Sequence, residues 1–189
     1  MAAVPRTYPE GLWYEDILPL TWRTVPVEAG ESVRLREYNE RVMQALEVLE
    51  VLEESPSHES RNEEMLEARL KRIELKLELL LDLVGQVVLN QLSIPERLPI
   101  HLAAHALVWE CDLPPSEGVT VQVDLYLTPR YPQPLCFVGR VQTIEPLTSG
   151  KHRVTIIFAE LGEVVQDGLE RSLFRHHRRR VARTRQVIV

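Results

Sequence analysis

Cysteine is scarce. Cys111 and Cys136 are the two present in 189 residues, which is too few for a disulfide framework and suits a reducing compartment. Glycine is also sparse, 8 in all, and nowhere does it form the glycine-rich loop that cradles phosphates ahead of a helix. No uncharged apolar run approaches the ~20 residues that span a bilayer, so any membrane contact is expected to be peripheral. The opening Met-Ala-Ala-Val-Pro-Arg has neither the apolar core nor the basic leader of a signal peptide. A cytoplasmic location is the expectation. No Ser/His/Asp arrangement and no isolated acidic pair stands apart from the helical charge pattern, so an enzyme is not expected. His101, His105, Cys111 and Cys136 lack the paired intervals of a metal site, and a polar or partly buried sheet face accounts for them.

What is present divides the chain into three. Hydrophobic residues make up 44% and charged residues 26%, the composition of an ordinary globular chain able to bury a core. The net charge of -6 is uneven, with glutamates in the middle and arginines near the end. Residues 1–30 carry Pro5, Pro9, Pro19 and Pro26 among Tyr8, Trp13, Tyr14 and Trp22, which predicts an N-terminal arm docked through aromatic side chains. A partner-binding peptide is the competing reading of that arm.

Residues 31–94 read as helical. Ser32 is a plausible N-cap for a helix to about Glu53, with Leu35, Tyr38, Val42, Ala45, Leu49 and Leu52 spaced by threes and fours. Pro56 and three serines break the pattern near 54–60. From Asn62 to Leu92, Leu66, Leu70, Ile73, Leu77, Leu80, Val84 and Val87 alternate by four and three, the repeat of a coiled-coil seam. Such a rod would be ~45 Å long. Charged residues flank the seam as far as Leu77, and beyond it apolar residues spread all round. Leu alternating with Ile across the seam leans towards a tetramer over a dimer. An intramolecular hairpin between the two helices is the alternative. Ser93-Ile94-Pro95 ends the rod.

From Leu98 the period changes to two. Ile100, Leu102, Ala104, Ala106 and Val108, then Val119, Val121, Val123, Leu125 and Leu127, alternate with polar residues and predict half-buried strands. Prolines 114, 115, 129, 132 and 134 mark turns, and Thr148-Ser149-Gly150 links two further strands, so residues 95–189 predict a small antiparallel barrel. A last helix begins near Glu163 and runs into Arg175-His-His-Arg-Arg-Arg-Val-Ala-Arg-Thr-Arg185. Its Arg175/Arg179 and Arg179/Arg183 pairs share one helical face and suit phosphate. A solvated helix end, an anion or cyclic-dinucleotide contact and a nucleic-acid or acidic-lipid patch are the three readings of this cluster. The acidic remainder of the chain weighs against nucleic acid.

The run Phe137-Val-Gly-Arg-Val, then Val154-Thr-Ile-Ile-Phe-Ala-Glu-Leu161, then Leu169 and Phe174-Arg-His-His-Arg-Arg-Arg resembles the C-terminal half of PilZ domains. That resemblance covers roughly Leu98 to Arg185. It implies an α+β fold: a six-stranded PilZ-like β-barrel with a C-terminal helix, preceded here by long heptad helices forming an oligomeric coiled coil. It implies a bacterial cyclic di-GMP receptor or adaptor, not a catalyst, acting in motility or virulence regulation. Two family signatures bear on the ligand. Arg-x-x-x-Arg before the barrel is matched here to Pro95-Glu96-Arg97-Leu98-Pro99, which has one arginine. Asp/Asn-x-Ser-x-x-Gly is matched to His101-Leu-Ala-Ala-His-Ala106, where acid, hydroxyl and glycine are all missing. Each lost charge-assisted hydrogen bond removes ~1.5 to 3 kcal/mol. The chain therefore resembles the atypical tetrameric PilZ type with degenerate ligand motifs. The implied function is a self-associating adaptor with an unidentified protein partner, no cofactor, weak or absent cyclic di-GMP binding, and no nucleic acid. The alternative is a true receptor in which Arg97, Arg175, Arg178, Arg179 and Arg183 contact the anion.

Overall fold

The structure, a computed structural model, describes residues 12–26, 33–54, 95–128 and 131–186, and the single positions 70, 73, 76, 77, 80, 81, 84 and 87. In 50–54 and 179–186 only the course of the backbone is described. Alternating apolar residues form six strands: β1 (Tyr14–Thr24), β2 (Arg97–Leu102), β3 (Ala106–Cys111), β4 (Thr120–Leu125), β5 (Leu135–Pro146) and β6 (His152–Phe158). They close into a barrel in the order β1-β2-β3-β6-β5-β4, every neighbouring pair antiparallel. Leu18, Leu20, Ile100, Leu102, Leu107, Trp109, Val121, Val123, Leu125, Phe137, Val154 and Ile156 are buried in its core. Closure gives every described strand a neighbour on each side.

Residues 14–24 are not part of an arm, contrary to the expectation from the sequence. They form the first barrel strand, paired with β2 up to Pro19↔Arg97 and with β4 from Leu20↔Leu125 onward. Pro19, which suggested an extended arm, sits where β1 changes partner. Its carbonyl accepts from Tyr126 N at 3.1 Å, and the missing N–H falls at the switch between ladders. The barrel is therefore not confined to residues 95–189. One strand precedes the helical region and five follow it.

Two helices are described as continuous elements: α1 (Val33–Glu54) and α2 (Glu163–Gln186). The buried residues of α1 are Asn39, Val42, Met43 and Leu46, the i, i+3, i+4, i+7 face of a helix docked on one side. That face meets its own barrel and α2. Gly168 of α2 makes the helix crossing close, because a Cβ there would lie 2.4 Å from Met43 Cγ. Arg171 of α2 donates through Nε and Nη2 to Glu47 Oε1 at 3.0 and 2.6 Å on the exposed rim of the crossing. Val165, Leu169 and Leu173 bury the inner face of α2.

Candidate functional site

At the α1–barrel junction, Asn39 is fully buried, donates through Nδ2 to Cys136 O at 2.8 Å and accepts from Cys136 N at 3.0 Å. β5 pairs with β6 only from Gly139 onward, so the start of β5 is without that ladder and the amide takes its place. Tyr38 adds a hydrogen bond from its hydroxyl to Pro134 O at 3.0 Å. Burial pushes the Tyr38 hydroxyl and the Cys136 thiol well above their ordinary ranges, and Asp124 raises Cys136 further. The sequence stripe through Leu35, Tyr38, Val42 and Ala45 is rotated by about a residue from the true buried face. It missed Asn39 because a polar residue scores as surface, and only its hydrogen bonds to a strand 97 residues away reveal its role.

The heptad seam is described at six of its seven positions, Leu66 lying outside the described residues. Leu70, Ile73, Leu77, Leu80, Val84 and Val87 are each helical, and with Leu81 they are 42% to 59% exposed. Seven half-exposed aliphatic side chains are a large uncovered apolar surface for one copy.

The two ligand signatures fall differently in the structure. His101 to Ala106 does span the β2–β3 hairpin, closed by Ala103 N donating to Ala106 O at 2.8 Å. His105 is exposed there and its carbonyl accepts from Phe158 N at 2.9 Å. His101 Nδ1 lies 3.5 Å from Glu15 Oε1. No carboxylate, hydroxyl or glycine is supplied by this turn. Pro95 to Pro99, by contrast, does not precede the barrel, because it runs into β2 after β1 has already been laid down. The segment that precedes β1 is 1–13, where Arg6 is followed four residues later by Glu10. An Arg-x-x-x-Arg pair is missing at the corrected place too.

The candidate anion contacts do not gather into one described cluster. Arg97 is exposed on β2 and Arg178 is exposed on α2. Arg175 is half-buried, with Nε and Nη2 enclosed, and its neighbour His176 lies against Tyr14 of β1 with ring centroids 4.5 Å apart and the planes tilted by 34°. This part of α2 thus packs on β1 instead of fraying. The side chains of Arg179 and Arg183 lie outside the described residues. Among the described residues no group of three or more His, Cys, Asp or Glu side chains could hold a metal, and no helix is long and apolar enough to cross a membrane. Cys111 belongs to the barrel core, whereas Cys136 lies at the α1 junction.

A closed six-stranded antiparallel barrel followed by a helix is the architecture of PilZ domains. Residues 44–186 match the family described as atypical PilZ domain, cyclic di-GMP receptor, and the chain belongs to that family. It is a family of ligand receptors, with cyclic di-GMP as the ligand, and not of enzymes. Among solved structures, the chain is similar to a pathogenic protein from Xanthomonas campestris, described as a new tetrameric PilZ domain self-assembled via an unusual helical bundle. The two are 24% identical with a TM-score of 0.70, and the match covers 93% of each chain. A Bacillus subtilis inhibitor of motility (MotI/DgrA) also matches, at 17% identity and a TM-score of 0.37, over 43% of this chain and 41% of that one. No curated protein matches.

Proposed function

We propose that this chain is a non-catalytic, cytoplasmic adaptor in a bacterial cyclic di-GMP pathway. It self-associates through the seam in residues 62–92, preferentially as a tetramer, and its own binding of cyclic di-GMP is weak or absent. The observation that carries this reading is the row of exposed apolar residues at heptad spacing, Leu70 to Val87. Burying the remaining half of an aliphatic side chain contributes about 1 kcal/mol. The six described seam residues give roughly 6 kcal/mol per copy before the cost of association, itself estimated at ~4–15 kcal/mol. One seam against one other is marginal, and an assembly that covers each seam from more than one side is better supported. The Xanthomonas campestris protein described as a tetramer supports the same direction.

Weak nucleotide binding is supported by the β2–β3 turn, which has neither acid nor hydroxyl nor glycine, and by the missing arginine pair ahead of β1. The family's description as receptors favours the second reading, in which Arg97, Arg175, Arg178, Arg179 and Arg183 supply a relocated anion site. The enclosed Nε and Nη2 of Arg175 weigh against it.

Light scattering of the full chain tests the assembly. A tetramer reduced to smaller species by Leu70→Glu or Leu77→Glu is expected, and a monomer indifferent to both substitutions would refute it. Calorimetric titration with cyclic di-GMP at moderate salt tests the ligand. Micromolar binding abolished by Arg175→Ala/Arg179→Ala would establish the receptor reading instead. Absence of heat, supported by a second binding assay, is the expected result.

A further inference from the structure

A groove on the outer face of β4, β5 and β6 is used by none of the surfaces above. Its volume is about 840 Å³, within the ~300–1,000 Å³ usual for ligand clefts. The floor is apolar, formed by Val138, Ile157 and Ala159, and the charged and polar rim includes Glu117, Arg140 and Gln142. Two features of the chain shape it. At Gly139 a Cβ would lie 2.6 Å from Ile157 O, so β5 presses on β6 as no other residue would allow, and the register slips between Val141 and Thr143. Ala159 then donates to Val138 O at 2.7 Å, which carries the chain leaving β6 along the groove.

The rim is held in advance by three hydrogen bonds. Gly118 N donates to Val141 O at 3.0 Å, Ile144 N to Glu117 Oε1 at 3.2 Å, and Arg140 Nε to Gly118 O at 3.1 Å. Arg140 is exposed and makes no ion pair among the described residues. With Nε given to Gly118 O, the two Nη groups are left as a fork for a carboxylate.

We propose that this groove docks an extended peptide segment of a partner protein. An aliphatic or aromatic side chain covers the Val138–Ile157–Ala159 floor, a neighbouring Asp or Glu takes the Arg140 fork, and Glu117 receives a basic side chain. The inference rests on the adaptor reading and names the chemistry of its partner. Charge selects the peptide over a cyclic dinucleotide. One guanidinium and one carboxylate sum to zero, which complements a segment bearing both signs, whereas a ligand with two phosphates would meet Glu117 as well as Arg140. Rim groups fixed before binding spare the partner the cost of ordering them.

The test is to pan a phage-displayed library of random peptides on the full-length protein, then measure the enriched peptides by fluorescence polarisation. Expected are sequences that pair an acidic residue with a nearby Leu, Ile, Phe or Trp. Their affinity should fall at least about tenfold with Arg140→Glu. A smaller loss of about threefold is expected for Gln142→Glu, which adds a carboxylate to the rim at an exposed residue whose side chain makes no hydrogen bond among the described residues. Thermal unfolding of both variants reads their folding independently. The proposal is overturned if no sequence is enriched, or if enriched peptides bind folded variants as tightly as the parent. Cyclic di-GMP binding that Arg140→Glu abolishes, with no peptide enriched, would give the groove to the nucleotide. Light scattering separates these outcomes from the assembly reading, since failure of the groove leaves the oligomer intact.

Discussion

Replacing Asn39 by alanine removes the amide that holds α1 to the open start of β5. Both groups it serves, Cys136 N and Cys136 O, are engaged in buried hydrogen bonds at 3.0 and 2.8 Å. Leaving a buried donor or acceptor without a partner costs about 1–3 kcal/mol, so the two together predict a loss of roughly 2–6 kcal/mol. That is a large share of the ~5–15 kcal/mol typical of a folded protein. At this size it corresponds to a fall in Tm of about 5–15 °C. Equilibrium unfolding in urea at fixed protomer concentration is the assay, since association would otherwise shift the apparent stability. Asn39→Asp sharpens the test. The protonated carboxyl can donate to Cys136 O as the amide does, whereas the carboxylate faces that carbonyl with a buried charge. Its folded pKa is therefore raised above the unfolded value of ~3.9, and the native state binds the extra proton. Relative to the parent, Asn39→Asp should be least destabilised below about pH 4 and lose stability as the pH rises through the folded pKa. A loss below about 0.5 kcal/mol for Asn39→Ala, or an Asn39→Asp variant no more pH-sensitive than the parent, would refute the clamp.

Phe137 is fully buried and stacks on Phe158 with centroids 4.4 Å apart, so Phe137→Ala should cost about 3–5 kcal/mol in urea unfolding. Both thiols are buried, and burial raises the pKa of each. Native Cys111 and Cys136 should alkylate at pH 8 far more slowly than in denaturant, as mass spectrometry would show. The same raised values keep the thiols protonated in the folded state, so their stabilising contribution is complete below the unfolded thiol pKa of ~8.5 and declines at higher pH. The Arg171–Glu47 pair is solvent-exposed on the arginine side, and Arg171→Ala should leave the urea unfolding midpoint nearly unchanged. Gly168→Ala, on the same helix crossing, should cost about 1–3 kcal/mol, because its Cβ would meet Met43 at 2.4 Å.

The strands after Leu98 were legible because each alternates cleanly between the core and water. Ile100 and Leu102, or Val121, Val123 and Leu125, are buried while His101, Gln122 and Asp124 are not. β1 obeys the same rule over Leu18 and Leu20, yet Pro19 between them and exposed Ile17 before them hid it. Whether a proline can be tolerated depends on which ladder its nitrogen faces, and that is a property of the closed barrel and not of the local sequence. The β5–β6 groove was out of reach for a similar reason. Arg140 and Gln142 read as an ordinary solvated strand face until Gly139 and the shift beyond Val141 are seen to bend β5 around β6.

The position of β1 also gives the docked helix a thermodynamic role. β1 and β2 are antiparallel neighbours, with Leu20 N donating to Glu96 O at 3.2 Å, so the whole helical region stands where a short hairpin loop would suffice. Loop-closure entropy grows only logarithmically, at about 0.6 kcal/mol per doubling, so about 70 residues in place of about four cost roughly 2–3 kcal/mol. The two hydrogen bonds of Asn39, the burial of Val42, Met43 and Leu46, and the close approach at Gly168 act against that cost within the first half of the insertion. A helix that merely linked the barrel to an assembly surface would need none of these contacts. Because α1 has them, its direction is set by the barrel, and truncating Asn39 should loosen the barrel's hold on α1 as well as lower its stability.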